Sequence, residues 1–370
     1  VSQSSHDSEA LDAADIAIYA RARTVHLKRF AEMGATLVYR KKNYDFDEEF
    51  AATHPSAQLG YAGTTRHLLR STHRVVELNE PFQLDSWPGL LLAVTAIRIS
   101  DAAHRRRTRI VTYAIGNDDL IANFAAYTRL PAPVAAFFVR RIFRYLLARY
   151  DRVAFGITSS REIYRELSGR AFDRPEKAFF GALAPRYPDA EIPLERTKNL
   201  VFLGALEERK GIVKLMEAWP LVQATGARLT ILGKGPLADQ VRVWAAARDD
   251  VDLIIDPARA VIHQTLLNSA VLVLFSQRTP RWREQIGLPI LEGLSHGCTI
   301  VTSTETGIAD WLDAHGHAVL APDVSAGVLA EKLGDALEHP LPVATVLESL
   351  PAQDTRFDAS DWMFEAGPNR

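Results

Sequence analysis

The chain alternates short apolar or β-branched runs with longer stretches whose apolar positions recur at helical spacing. Runs of the first kind stand at Ile16–Tyr19, Thr36–Tyr39, Arg74–Leu78, Arg109–Tyr113 and Arg152–Ile157. A second set follows at Leu200–Gly204, Arg228–Gly233, Asp252–Asp256, Val271–Phe275, Thr299–Ser303 and Ala318–Ala321. Strands separated by helix-length segments predict βαβ units and parallel sheets. Eleven of them are too many for one ordinary doubly wound sheet. The proline-bearing stretch ALAPRYPDAEIPLERTKN (182–199) falls between the two sets and reads as a linker. The expected fold is α/β, with two Rossmann-like domains whose parallel sheets face a cleft. The expected domains are 1–190 and 191–350, with a C-terminal segment at 351–370.

A length of 370 residues agrees with two domains, and 47% hydrophobic with 24% charged residues is ordinary for a soluble globular chain. The single cysteine, Cys298, excludes an internal disulfide and a multi-cysteine metal site, so a cytoplasmic location is expected. No apolar run reaches the roughly 18 residues of a membrane span. The polar start, residues 1–12, resembles no signal peptide and is expected to be mobile. The net charge of -2 hides an asymmetry: from Arg98 to Arg152 eleven arginines face four aspartates, while the tail from Asp323 is acidic. That asymmetry points to an anionic partner for the first half. Within it, PAPVAAFFVRRIFRYLLAR (131–149) predicts a helix with Ala135, Val139, Ile142, Leu146 and Tyr150 on one face and arginines off it. Solvated arginines on a core-packed helix are the simpler reading; peripheral contact with an anionic membrane through the basic 98–152 region is the other. Nucleic acid is not expected, because no reading module or stacking motif accompanies the arginines.

Ligands of open α/β sheets sit beyond the carboxyl ends of the strands, so the loops there carry the candidate chemistry. EQIGLPILEGLSHGCTIVTS (284–303) sets Glu284 in a loop and Glu292 about one turn inside a short helix. Gly287 permits a tight backbone, Pro289 suits a first helical turn, and Gly297 suits the stop. Backbone amides opening such a helix hold phosphate, and the two carboxylates are placed for hydroxyl groups on either side. Arg209 and Lys210 precede a helix expected at Gly211, where the dipole disfavours cations unless an anion is bound. Asp45-Phe46-Asp47 and Asp250-Val251-Asp252 are read as loop charges, and His315 and His317 lack further ligands at metal spacing, so no metal site is expected. Cys298 reads as a small buried hydrophobe, and His296 as packed or solvent-facing near a helix end.

The glutamate pair around Gly-Leu-Pro resembles the signature of retaining glycosyltransferases of GT-B fold (family 4, glycosyl transferases group 1). FLGALEERKG (202–211), ILGKGP (231–236) and STETGIAD (303–310) follow the order of the family's donor domain. The likeness covers about residues 198–322; the first domain agrees only in general architecture. The resemblance implies transfer of a sugar from a nucleotide diphosphate sugar to an unidentified acceptor, with no cofactor and no obligatory metal. It also implies an N-terminal acceptor domain and a final segment, DASDWMF (358–364), crossing back to that domain. Carried over, Glu284 touches the donor sugar and Lys210 the diphosphate, and these two are the catalytic candidates. Glu292 takes the ribose, the Gly287 and Leu288 amides take sugar and diphosphate, and Gly204, Arg209, Gly233, Gly235 and Asp256 complete the donor side. The base is expected at the loop after Asp256. Two departures stand out. Ala205 occupies the position of a family arginine, which Arg209, Arg278, Arg281 or Arg283 would have to replace. A family histidine is also missing from the loop YAIGNDD (113–119), where Asn117 or Asp118 is expected on the acceptor side. A nucleotide-sugar-binding paralogue without activity, or an epimerase or phosphorylase on the same fold, is the alternative.

Overall fold

In the computed structural model the described residues are 13–187 and 192–365. They fall into two compact units, the first holding 13–116, 120–180 and 357–365, the second 117–119 and 181–356. The expected boundary at 190/191 lies outside the described residues, as does the expected mobile start; the contacts divide the chain between Phe180 and Gly181.

The first unit is a seven-stranded parallel sheet in the order β3-β2-β1-β4-β5-β6-β7. Its strands are β1 (Asp15–Ala22), β2 (Thr36–Lys42), β3 (Ser56–Gln58), β4 (Val75–Leu78), β5 (Arg109–Ala114), β6 (Arg152–Phe155) and β7 (Glu176–Phe179). Five of them coincide with the apolar runs. β3 and β7 were not expected: each is a three- or four-residue edge strand, and SAQ and EKAF carry no β-branched residue. Alternate residues of β1 feed two cores. Ile16 packs on one face with the helices Tyr61–Arg70, Trp87–His104 and Ala132–Leu147. Ala17 and Tyr19 pack on the other with Leu27 and Phe30 of the helix Thr24–Glu32. Ala359, Met363 and Phe364 from the final helix, Thr355–Phe364, join this second core.

Three arginines of the basic stretch and its neighbourhood hold the end of that final helix. Arg74 donates to the Phe364 carbonyl (2.7 Å), Arg152 to Trp362 and Arg109 to Glu365. The last carbonyls of a helix lack intrahelical partners, so cations there satisfy both hydrogen bonds and dipole. Arg98 bonds the carbonyls of Thr108 and Arg149 and pairs with Asp101 and Asp151. Arg106 bonds the Ser71 and His73 carbonyls, and Arg107 pairs with Asp151. The anionic partner expected for the whole 98–152 region is therefore narrowed: its first arginines and Arg152 work inside the fold. In the helix Ala132–Leu147, Ala135, Val139, Phe143 and Leu146 are buried, whereas Phe137, Phe138 and Tyr145 remain exposed among Arg140, Arg141 and Arg144. No helix among the described residues is long and apolar enough to cross a membrane.

The second unit is a six-stranded parallel sheet in the order β10-β9-β8-β11-β12-β13. These are β8 (Thr197–Leu203), β9 (Arg228–Gly233), β10 (Val251–Ile255), β11 (Ser269–Leu274), β12 (Thr299–Ser303) and β13 (Ala318–Leu320). All six coincide with expected strands. β11 is buried at every position, as a central parallel strand covered on both faces must be.

Candidate functional site

In the second sheet the strand order reverses between β8 and β11, and the crevice at such a point is where an open α/β sheet takes ligands. The two loops leaving these strands are packed together by one glycine. Gly211 (φ 81°) follows a 3-10 turn at Glu208–Lys210, and a Cβ there would lie 2.1 Å from the Phe275 carbonyl oxygen. Only glycine lets the loop after β8 touch the end of β11. The Gln277 amide, donating to the Arg209 carbonyl at 2.8 Å, continues the contact.

That contact brings together two residues 74 positions apart. Lys210 Nζ lies 2.5 Å from Glu284 Oε2, and Ser276 Oγ donates to the same oxygen at 2.9 Å. Both charged side chains are largely buried, so each depends on the other for the solvation it has lost. Trp282 lies beside them, its ring centre 5.0 Å from Lys210 Nζ and 4.3 Å from the Arg209 guanidinium. The backbone around Glu284 is itself held. Asn117 Nδ2 donates to the Glu284 carbonyl and the Arg283 amide donates to Asp118, each at 2.9 Å. Burial raises the Asp118 carboxyl pKa, with the Arg283 amide opposing it. Asn117 and Asp118 belong to the second unit and fix the loop carrying Glu284, a role that their positions near β5 did not suggest.

The helix after this loop spans Leu288–Ser295, begins at Gly287 (φ 81°) with Pro289 in its first turn, and no side chain caps its start. Glu292, one turn in, accepts from Arg259 Nη1 at 2.8 Å through Oε1, while its Oε2 is buried without a hydrogen-bond partner. A buried carboxylate oxygen without a donor is costly unless a ligand supplies one. The Glu292 carbonyl lies 2.7 Å from His296 Nδ1. A carbonyl can only accept, so Nδ1 carries the proton and Nε2 is left to accept from His263 (3.1 Å). Tyr187 stacks on the His296 ring at 4.6 Å, and burial pushes that imidazole pKa down to about 4.

Other expected positions have partners or packing reasons within the chain. Arg209 and Lys210 do not stand unneutralised before a helix: Arg209 pairs with Glu207 and Lys210 with Glu284. Gly233 and Gly235 have a packing reason within the chain, since a Cβ would meet the Gly204 carbonyl oxygen at 1.8 Å and that of Leu206 at 2.6 Å. Asp256 (φ 50°) follows β10 and pairs with Lys234 at 2.7 Å, both well exposed. Leu288 is exposed. Of the candidates to replace the arginine missing at Ala205, Arg283 is engaged with Glu305 at 2.9 Å and Arg278 is exposed. Arg209, over Trp282, belongs to the Lys210 cluster. Ser276, Arg259 and Trp282 were missed because their signal is proximity, which spacing along the chain does not encode.

The acidic pairs have structural partners. Asp45 pairs with Arg23 and Asp47 caps the helix Glu48–Thr53, while Asp250 accepts from the Trp219 indole and Asp252 pairs with Arg228. Among the described residues no cluster of three or more histidine, cysteine or carboxylate side chains is placed to hold a metal. Cys298 is fully buried, and burial pushes its thiol pKa up to about 12.

Residues 197–339 match the family described as glycosyl transferases group 1. The match lies within the second unit and covers less than half of the chain. Glycogen synthase of Halorhodospira halophila is 32% identical over 151 residues, 38% of this chain and 30% of that protein. Glycogen synthase of Mesorhizobium japonicum is 30% identical over 141 residues, 37% of this chain and 28% of that protein. The matches thus span about a third of these relatives. Likeness in fold extends further. The lipopolysaccharide outer core galactosyltransferase WaaB superposes with TM-score 0.64 at 13% identity, covering 94% of this chain and 98% of its own. HepE of Anabaena, solved with UDP and glucose, superposes with TM-score 0.58 at 13% identity over 94% and 95%. The two Rossmann-like units therefore have the GT-B architecture, and the Lys210–Glu284 pair lies inside the matched segment.

Proposed function

We propose that the protein is a retaining glycosyltransferase that takes its sugar from a nucleotide diphosphate sugar bound by the second unit. In the reaction the anomeric carbon loses its bond to the diphosphate oxygen and gains one to an acceptor hydroxyl oxygen. The hydroxyl proton leaves with the diphosphate. Lys210 stabilises the departing charge together with the amides opening the Leu288–Ser295 helix; Glu284 orients the sugar and Glu292 takes the ribose hydroxyls. No residue is assigned as a nucleophile, and no metal step is invoked. The observation carrying this reading is the buried Lys210–Glu284–Ser276 cluster at the sheet's switch point, beside a helix start without a side-chain cap. HepE was solved with UDP and glucose, which makes uridine diphosphate sugars the first donors to try. The first unit takes the acceptor. Its exposed Phe137, Phe138, Arg141 and Arg144, with the half-buried Arg140, suit peripheral contact with an anionic membrane at the cytoplasmic face.

Donor consumption should be followed across a panel of nucleotide sugars, with and without chelator. Turnover that Glu284→Gln abolishes, in protein that still binds free nucleoside diphosphate, supports the assignment. A second reading, a nucleotide-sugar-binding protein without turnover, is favoured by Ala205 and by the charge of Lys210 being matched already by Glu284. Donor binding with no hydrolysis or transfer would establish it. A new sugar nucleotide would indicate an epimerase, and a requirement for phosphate a phosphorylase.

A further inference from the structure

The first sheet also reverses its strand order, between β1 and β4, and a cavity opens there at the carboxyl ends of β1, β2 and β4. It holds about 480 Å³, counted with the space open to solvent. Its walls are chiefly aliphatic and aromatic, with Ile18, Val38, Leu78 and Leu90 set deep and Tyr61 beside the Gly89 backbone. A second, more open hollow adjoins it between the helices Tyr61–Arg70 and Trp87–His104, and Tyr61, Thr65 and Leu92 line both. Leu69 and Leu92, about two-fifths exposed, carry the apolar lining outward. Its enclosed part is small, about 40 Å³, and continues into the open hollow; walls this apolar hold water poorly and favour an apolar occupant.

Its rim has one sign of charge. Arg40 lines the inner part, its guanidinium 4.8 Å from the Tyr61 ring centre, and Arg66 and Arg70 line the outer part. Among the described residues none of these three forms an ion pair, whereas Arg74, Arg98, Arg106, Arg107 and Arg152 of the same unit all do. An apolar slot edged by three arginines without carboxylate partners is complementary to a hydrocarbon segment joined to an anionic group.

We infer that this crevice binds an anionic amphiphile, its hydrocarbon part between the two helices and its charged group among Arg40, Arg66 and Arg70. The amphiphile is the acceptor or a part of it. Its role as acceptor rests on the glycosyltransferase reading; its binding does not.

The test is calorimetric titration of the full chain with dodecyl phosphate below its micellar concentration, alongside inorganic phosphate and dodecyl maltoside. Saturable binding of dodecyl phosphate is expected, with no response to inorganic phosphate and about tenfold weaker binding of the neutral maltoside. Thr65→Trp, which fills the slot from a half-buried position, and the exposed pair Arg66→Ser/Arg70→Ser should each weaken dodecyl phosphate by about tenfold or more. Leu92→Arg, at an exposed position, serves if Thr65→Trp does not fold. Equal binding of maltoside, unchanged binding in the variants, or no saturable binding overturns the inference. Nucleoside diphosphate binding in the second unit, measured on the same samples, separates the two claims. If it persists while the amphiphile fails, only this inference falls. If the amphiphile binds while every donor fails to turn over, the glycosyltransferase reading falls and the binding stands.

Discussion

The two sheets reverse their strand order at the same point, between β1 and β4 and between β8 and β11, yet they furnish that point in opposite ways. Between β8 and β11 the walls are Lys210, Glu284 and Ser276, hydrogen-bonded to one another and buried. Between β1 and β4 they are Ile18, Val38, Leu78 and Leu90, with arginines only at the rim. The difference begins in the loops. In the second unit the loop after β8 is drawn by Gly211 onto the end of β11, so long polar side chains from both converge. In the first, Asn79 Oδ1 accepts from the Ala20 amide at 2.6 Å and ties the ends of β1 and β4 directly. What faces the hollow there is side chains of the flanking helices, Leu69, Leu90 and Leu92 among them, with Arg66 and Arg70 at the outer edge. A shared fold thus fixes where a ligand goes, and the loop chemistry decides what kind it is.

The comparison breaks most readily at the buried ion pair. Lys210→Met leaves Glu284 charged, buried and without its cation, which should cost about 3–5 kcal/mol of stability in the second unit. Lys210→Met with Glu284→Gln should recover most of that loss while, on the proposed function, remaining inactive. Chemical denaturation monitored by tryptophan fluorescence would measure both. A single variant as stable as its parent would mean that the pair is solvated, and the contrast between a polar and an apolar crevice would fail.

How much of this was legible in the sequence follows the range of the signal. Eleven of the thirteen strands announced themselves, nine of them central and the edge strands β10 and β13 through their β-branched residues; β3 and β7, edge strands without any, owe their pairing to neighbours. Glu284, Glu292 and Lys210 could be named from the ordered motifs. The 2.5 Å bond between Lys210 and Glu284 could not, because nothing local to either residue records a partner 74 positions away. The apolar crevice was less legible still: nothing along the run Leu90-Leu91-Leu92 marks which of these side chains border open space.

Acidification should separate the units next. Burial holds the imidazoles of His296 and His317 at pKa values of about 4, far below their unfolded value. For each, the unfolded chain gains a proton as pH falls through about 6.5 while the folded chain waits until about 4. Stability is therefore fully present above 6.5 and lost progressively below it, by roughly 3 kcal/mol per histidine over the window. Melting followed from pH 7 to pH 4 should show that loss. His317→Asn keeps an acceptor for the Ile300 amide, which now bonds His317 Nδ1 at 3.0 Å, and should flatten the slope by roughly half. A variant with the parent's pH profile would show that His317 is not the group responsible.

Glu292 sharpens the comparison within the polar crevice. Its buried Oε2 lacks a donor, whereas Glu284 is already satisfied by Lys210 and Ser276. Ribose hydroxyls are present in both donor and free nucleoside diphosphate, so Glu292→Ala should weaken the two alike, by about 1.5–3 kcal/mol as for a charge-assisted hydrogen bond. KM should rise more than kcat falls. Glu284→Gln should do the reverse, leaving nucleoside diphosphate affinity nearly intact while lowering turnover. Titration of both ligands into both variants is decisive, since interchanged phenotypes would exchange the ribose and sugar assignments.

The smallest effect expected concerns the arginine absent at Ala205. Arg209 lies over Trp282 in the Lys210 cluster, paired with Glu207, and is about one-third exposed. An anion arriving beside it gains a cation already held in place by the indole, but one partly screened by water and by its glutamate. Arg209→Gln should therefore cost nucleoside diphosphate affinity only about 0.5–1 kcal/mol, and less at high salt. Arg278→Gln should change nothing measurable, because that side chain is exposed, and Arg283→Gln should act mainly through its pairing with Glu305. The folded stability of the Arg209 variant should be close to that of the parent, which distinguishes it from Arg152→Gln in the first unit. There the guanidinium holds the end of the final helix and its loss should appear as a lower melting temperature with no effect on nucleotide binding. If Arg278→Gln lowers affinity as much as Arg209→Gln, the charge that stands in for the missing arginine is spread over the loop, and Trp282 has no part in placing it.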